Sequence, residues 1–182
     1  MKIIDTSIQD AKIIEPPLFG DERGFFAPLF EDRKFAQIGI TDNFTRLNNS
    51  FSAIKGTVRG MHYQPSPDQE AKMVCVLRGR IWDVVLDLRK ESSTFGQSTG
   101  VELDSTSRKW FYVPAGCAHG FQTLEPDCEI IYFCSSYYNV KTERGIRWND
   151  PSFNITWPLK PTILSEKDQN HKDFHPSTHL QF

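Results

Sequence analysis

Nowhere does this chain hold the roughly 18 consecutive apolar residues that a membrane helix needs, and its opening MKIIDTSIQDAKIIEPP has no apolar core of signal-peptide length. A soluble, cytoplasmic protein without a membrane partner is therefore expected. Excess positive charge is missing as well. The 21 Lys and Arg stand against 23 Asp and Glu, for a formal charge of −2. That leaves no diffuse basic field for nucleic acid, whose binding leans on many phosphate contacts, so any anion held here is expected to be small. Cysteine is sparse: Cys75, Cys117, Cys128 and Cys134 are dispersed with no C-x-x-C pair, which predicts reduced, packed thiols. Strong helical periodicity is also scarce, and there is no internal repeat, low-complexity tract or linker. A length of 182 residues suits one domain, 1–182, with a core of its own.

What the chain does contain is a succession of β-branched and aromatic runs bounded by Gly, Pro, Asn or Asp. Strands are predicted at 11–14, 24–30, 43–52, 57–64, 71–78, 80–88, 97–103, 109–113, 119–124 and 128–137, with tight turns at RGR and EPD. Ten short strands imply an all-β sandwich or barrel. In 80–88, Trp82, Val84, Leu86 and Leu88 alternate with Asp83, Val85 and Asp87, which reads as a half-buried antiparallel strand with one face pointing into a core. Helix is predicted only at 31–38 and at 165–171, where Ser165 is placed to cap and Asp168 follows three residues on. Beyond Pro161 the chain is polar and either wraps the surface or frays, with about 172–182 the segment where mobility is expected.

Four clusters carry chemistry. In VRGMHYQ, strand periodicity puts Val58, Gly60, His62 and Gln64 on one face; Lys72, Val74 and Val76 share a face of the next strand, so His62 and Lys72 can meet one cavity. Arg59 has the opposite parity and reaches that cavity only across a twist or bulge at Gly60. In VPAGCAHGF, Pro114 and Gly116 form a tight turn and His119 begins the next strand; P-x-G-x-x-H is a recurring jelly-roll spacing. Metal-binding barrels of that kind carry H-x-H in the first motif, but here the stretch reads HYQ, with Gln64 where a second imidazole would stand. His62 and His119, with Glu70 as a third donor, make a poor transition-metal site, so neither metal nor cofactor is expected. In GDERGFF, Arg23 joins Arg59 as a guanidinium suited to diphosphate oxygens, unless it merely pairs with Asp21 or Glu22. In EIIYFCSSYY, Tyr132 lies mid-strand in an apolar run, where its hydroxyl needs a partner or a function.

In their shared order, DERGFF, VRGMHYQ, AKMVCVLRGRIWDVVLDLR, STFG, VPAGCAHGF, SSYYNVKTERGIRWNDP and LSEKD resemble the dTDP-4-dehydrorhamnose 3,5-epimerase family over about residues 13–170. The resemblance implies a cupin-type jelly-roll barrel with short peripheral helices, acting without cofactor on a nucleotide-diphosphate sugar, most simply dTDP-linked, as a homodimer. By the same resemblance His62 is the base, paired to Asp168. Lys72 lies by the keto oxygen and Tyr132 is the proton donor across the ring. Arg23 and Arg59 hold the diphosphate, Phe26 and Tyr138 line the nucleotide end, and Asn48, Asn49, His119, Glu143 and Lys167 are further substrate contacts. Arg23 is expected to complete the neighbouring subunit's site.

The chemistry suits those residue types on its own terms. A ketone at C4 acidifies the hydrogens at C3 and C5; a base takes one, an enolate forms, and a proton returned from the other face inverts the centre. An imidazole, with an unperturbed pKa of about 6.5, suits the base at neutral pH. The chain departs from the family pattern at Pro28, Arg46, Leu47 and Phe133, where members tend to carry Glu, Gln, Asp and Lys. Altered specificity is the expectation from these changes. Inversion of one centre only, another sugar or nucleotide, and a barrel that binds without catalysing are the competing readings.

Overall fold

The computed structural model describes residues 1–180. Its strands are β1 (Lys2–Asp5), β2 (Lys12–Glu15), β3 (Phe19–Asp21), β4 (Gly24–Phe26), β5 (Arg46–Ser52), β6 (Val58–Tyr63), β7 (Lys72–Arg78), β8 (Arg80–Asp87), β9 (Ser98–Asp104), β10 (Trp110–Val113), β11 (Cys117–Thr123), β12 (Cys128–Cys134) and β13 (Arg144–Gly145). Three short helices accompany them: α1 (Asp32–Gln37), α2 (Glu166–Gln169) and α3 (Pro176–His179). A six-stranded sheet in the order β1-β2-β10-β7-β12-β5 faces a five-stranded sheet in the order β13-β6-β11-β8-β9, and every pair between these strands is antiparallel. This is an all-β, cupin-type jelly-roll barrel.

The strands that sit centrally are apolar on both faces because each is covered twice. In β7, Val74 and Val76 point into the barrel with Ile81, Val85, Phe111 and Ile130, while Met73 and Cys75 point outward under Phe35 and Ile40. Burying each such side chain contributes about 1.5–3 kcal/mol, so a two-sided strand anchors two layers at once. The outer face of the five-stranded sheet is likewise covered, by Ile146, Phe153 and Leu180 of the C-terminal third.

That double covering corrects the expectation of a half-buried strand at 80–88, since both of its faces meet a core. Val84, Leu86 and Leu88 lie on its outer face, beneath the C-terminal segment, whereas Ile81 and Val85 line the barrel interior, so Asp83 and Asp87 share the inward parity. Both carboxylates are fully buried. Alternation separated the two faces, but the cover over the outer one is supplied by residues far along the chain.

Other differences are local. The strand expected at 24–30 stops at Phe26, two residues before Pro28, which has no N–H to give a ladder. Those at 43–52 and 128–137 shorten to Arg46–Ser52 and Cys128–Cys134, and β11 starts at Cys117, before His119. The sequence reading passed over β1, β3, β13 and α3, each of four residues or fewer. Through residue 180 the tail runs over the barrel, with His179 and Leu180 buried; the rest of the segment expected to be mobile, 181–182, lies outside the described residues. Among the described residues no helix is long and apolar enough to cross a membrane.

Candidate active site

Strands β6 and β11 lie side by side with His119 across from His62. One step further the register slips, so that Phe121 faces Arg59. The slip is seated on glycine: Gly60 has φ +123°, and a Cβ there would stand 2.5 Å from Gly120 Cα. The extra residue on β6 brings Arg59, despite its parity, to the same cavity as His62. That cavity, about 410 Å³, is also lined by Lys72, His119, Tyr132, Lys167 and Asp168. An adjoining hollow of about 130 Å³ shares His62, Lys72 and Tyr132 and adds Arg46, Glu70, Tyr138 and Glu143.

Asp168 arrives from α2. Ser165 caps that helix by accepting from the Asp168 N–H at 3.0 Å. The Asp168 carboxylate, instead of reaching back along the helix, takes the His62 Nε2 hydrogen at 2.6 Å on Oδ1 and the Gly60 N–H at 3.4 Å on Oδ2. His171 stands on the other side, its Nε2 3.6 Å from the same Oδ1 and its ring nearly edge-on to that of His62. Burial alone would raise the Asp168 pKa, but His171, His62 and the Gly60 N–H together hold it far below the carboxylate range. With Nε2 committed to Asp168, Nδ1 of His62 is left as the basic nitrogen.

A second imidazole–carboxylate pair lies deeper. His119 Nε2 meets Asp83 Oδ1 at 2.7 Å, and Asp83 Oδ2 has no partner among the described residues. Burial raises the Asp83 pKa against the pull of His119. Lys72 rests 2.6 Å from Glu70 Oε1, yet its buried Nζ makes no well-directed hydrogen bond among the described residues. Its N–H groups are thus available to a carbonyl oxygen in the cavity. Tyr132 extends from β12, and no described group hydrogen-bonds its hydroxyl; burial raises its pKa, which keeps the phenol protonated. Glu143 accepts from Lys167 at 2.5 Å and from Tyr138 at 2.8 Å, and these contacts outweigh its burial to hold the carboxyl low.

Not every expected residue reaches the cavity. Arg23 and Phe26 sit on the β3–β4 hairpin, which pairs with no other strand; Arg23 binds Asp21 at 2.5 Å and Phe26 stacks on Phe19. Asn48 is half-buried on the inward parity of β5, with its amide toward Cys134. Asn49 has the outward parity and bonds Glu129 at 2.9 Å, so period-2 geometry takes it off the site. The four departures from the family pattern separate in the same way. Phe133 packs with Phe30, Phe44 and Trp110 on the barrel's outer side, Leu47 is exposed, and Pro28 lies near Phe35. Within this chain Arg46 borders the site, whereas Leu47 and Phe133 lie off it, which corrects the expectation for those two; Pro28 follows the β3–β4 hairpin.

Asp83 and His171 are site groups that sequence reasoning did not assign, and Glu70, weighed there only as a metal donor, is a third. An Asp inside an apolar strand is itself a signal, because a buried carboxylate demands a partner. Gln64, at the position of the missing imidazole, has its amide engaged by Asp68, Tyr137 and Asn139. The donor atoms of His62, Asp168 and His171 lie within 4.8 Å of one another, but Arg59, Lys72 and Lys167 bound the same cavity and their charge opposes a divalent cation there.

A cleft with a carboxylate-held imidazole, a protonated phenol and several cations is equipped to move protons on an anionic substrate. Comparison with known proteins places the chain in a family. A family model described as dTDP-4-dehydrorhamnose 3,5-epimerase matches residues 5–176. The dTDP-4-dehydrorhamnose 3,5-epimerase of Shigella flexneri is 42% identical over 175 residues, spanning 96% of each chain. Among solved structures, the epimerase from Bacillus anthracis with TDP and PPi bound superposes with a TM-score of 0.92 at 41% identity, covering 95% of this chain and 99% of that one. The epimerase from Legionella pneumophila in complex with dTDP-4-keto-L-rhamnose gives 0.90 at 43% identity, covering 94% and 92%. The protein is accordingly an isomerase on a cupin-type barrel. It belongs to the dTDP-4-dehydrorhamnose 3,5-epimerase family.

Proposed function

We propose that the protein inverts C3 and C5 of a dTDP-linked 4-keto-6-deoxyglucose by proton transfer through enolates. Nδ1 of His62 removes the hydrogen next to the C4 ketone, and the electron pair of the broken C–H bond moves onto the C4 oxygen. Lys72 stabilises that oxygen, the kind of preorganised electrostatic help that is usually the largest catalytic contribution. Tyr132 returns a proton from the opposite face, the enolate collapses to the ketone, and the centre is inverted. Asp168 fixes the His62 tautomer and offsets the charge of the imidazolium. Arg59 and Lys167 anchor the diphosphate, with Asn48, His119, Tyr138 and Glu143 around the sugar and base. Arg23 and Phe26 reach a site from the partner in a homodimer, which gives the unpaired hairpin a role.

The observation that carries this reading is the 2.6 Å His62–Asp168 bond opening on a cavity that also holds Lys72 and Tyr132. The nucleotide and sugar-nucleotide ligands of the B. anthracis and L. pneumophila relatives support the substrate class. The cavity's volume of about 410 Å³ is within the range of small-ligand sites. The test is incubation with dTDP-4-keto-6-deoxyglucose in D₂O, following C3 and C5 by NMR. Deuterium at both carbons with inversion is expected, and so is its loss in His62→Ala. Label at one carbon reduces the reading to a single-centre epimerase; label at neither removes catalysis from it.

A further inference from the structure

Beneath Lys72 lies a chain of charge that the proposed mechanism does not use. Glu70, almost wholly buried, holds Lys72 Nζ at 2.6 Å with Oε1 and Arg46 Nη2 at 2.8 Å with Oε2. Arg46 is fixed in turn, its Nε donating to the Ser136 carbonyl at 2.8 Å. Lys72 and Glu70 have side-chain exposures of 7% and 9%, so water does little to screen one from the other. Glu143, Tyr138, His62, Tyr132 and Cys134 also line this hollow, and the Cys134 thiol is pushed up to about 11, chiefly by burial and then by Glu70.

A carboxylate in contact with a buried ammonium cancels much of the positive potential that the ammonium presents on its far side. If Glu70 and Lys72 stood alone, the pair would be neutral and would do little for an oxygen developing negative charge. Arg46 changes the count: two cations on one carboxylate leave a net charge of +1. The guanidinium takes up one carboxylate oxygen in a charge-assisted hydrogen bond and drains its field away from Lys72. We infer that Arg46 is a positioning residue which, through Glu70, restores the positive potential that Lys72 directs at the substrate carbonyl. This rests on the proposal that Lys72 faces the C4 oxygen. Arg46 does not touch the reacting atoms in this scheme, so it acts on the transition state, where charge develops, more than on ground-state binding.

The test is steady-state kinetics with dTDP-4-keto-6-deoxyglucose on Arg46→Gln, Arg46→Lys, Glu70→Gln, the Arg46→Gln/Glu70→Gln double variant and Lys72→Met, with folding checked by circular dichroism and thermal unfolding. Arg46→Gln should lower kcat about tenfold with KM changed less than about twofold. Arg46→Lys should keep most of kcat, since it keeps the charge. The double variant should regain kcat to within about threefold of the parent, because removing the carboxylate makes its neutraliser unnecessary. A merely structural Arg46 predicts the reverse, a double variant at least as impaired as the single. That result, or an Arg46→Gln enzyme with unaltered kcat, overturns the inference while the mechanism stands. If Lys72→Met itself leaves kcat unaltered, the assignment of Lys72 fails first and the inference with it.

Discussion

Replacing Asp168 with Asn tests the catalytic proposal and the electrostatics of the site together. The variant keeps the side chain's shape and its backbone N–H, so the Ser165 cap persists, and an amide oxygen can still accept from Gly60. What disappears is the negative charge 2.6 Å from His62 Nε2, in a side chain only 4% exposed. A hydrogen bond to a charged group is worth about 1.5–3 kcal/mol, and each 1.36 kcal/mol is a factor of ten, so kcat should fall about 10- to 150-fold. KM should move little, because Asp168 acts through His62. Stability should change with a defined pH dependence. The folded pKa of Asp168 lies far below the unfolded value of about 3.9, so its contribution is complete above pH ~4 and is lost as the pH falls toward the folded value. Parent and variant should therefore differ in Tm at pH 7 and converge as the pH drops below about 4. Turnover within twofold of the parent in a folded variant, or a stability gap that does not narrow in acid, would refute the reasoning.

Three further outcomes follow from the same contacts. Tyr132→Phe removes one oxygen from a ring packed against the barrel core, so the fold should hold; inversion should fall by about 10²–10⁴ while His62 goes on exchanging the substrate hydrogen, giving deuterium at C3 or C5 with configuration retained. Loss of exchange together with inversion would assign Tyr132 another role. Asp87 is fully buried and accepts from Arg89, Ser92 and Thr94 at 2.6–2.9 Å, so Asp87→Ala should cost about 3–5 kcal/mol in urea unfolding while the folded fraction turns over normally; a cost under about 1 kcal/mol would contradict that account. Gly60→Ala forces a Cβ to 2.5 Å from Gly120 Cα at a φ of +123°, and should cost about 2–4 kcal/mol and raise KM through displacement of Arg59; wild-type values for both would show the register slip to be unimportant.

How far the sequence disclosed this protein depended on distance along the chain. Where one period-2 strand carried the information, the reading was sound: His62 and Lys72 reach one cavity, and Gly60 supplies the slip that lets Arg59 join them. It faltered wherever a face had to be judged without its cover. Nothing within IWDVVLDL says that Ile146, Phe153 and Leu180 lie over Val84 and Leu86, so a strand buried on both faces read as half-buried. The same limit applies to β5 and β12, whose departures from the family were taken as a set, although Arg46 faces in and Leu47 and Phe133 face out.

Arg46 also shows why a substitution near a site cannot be weighed from its own position. Its partner Glu70 is 24 residues away, and Lys72 is reached only through that carboxylate. Taken singly, Arg46 is an added charge at a substrate rim and implies a changed ligand. With Glu70 it is half of a partly buried pair whose carboxylate is almost wholly buried, and removing one half of such a pair costs more than removing both. The double variant therefore separates the two meanings. Recovery on deleting both charges means that the pair conserves the potential at Lys72, and that the departure at position 46 leaves the substrate class unchanged.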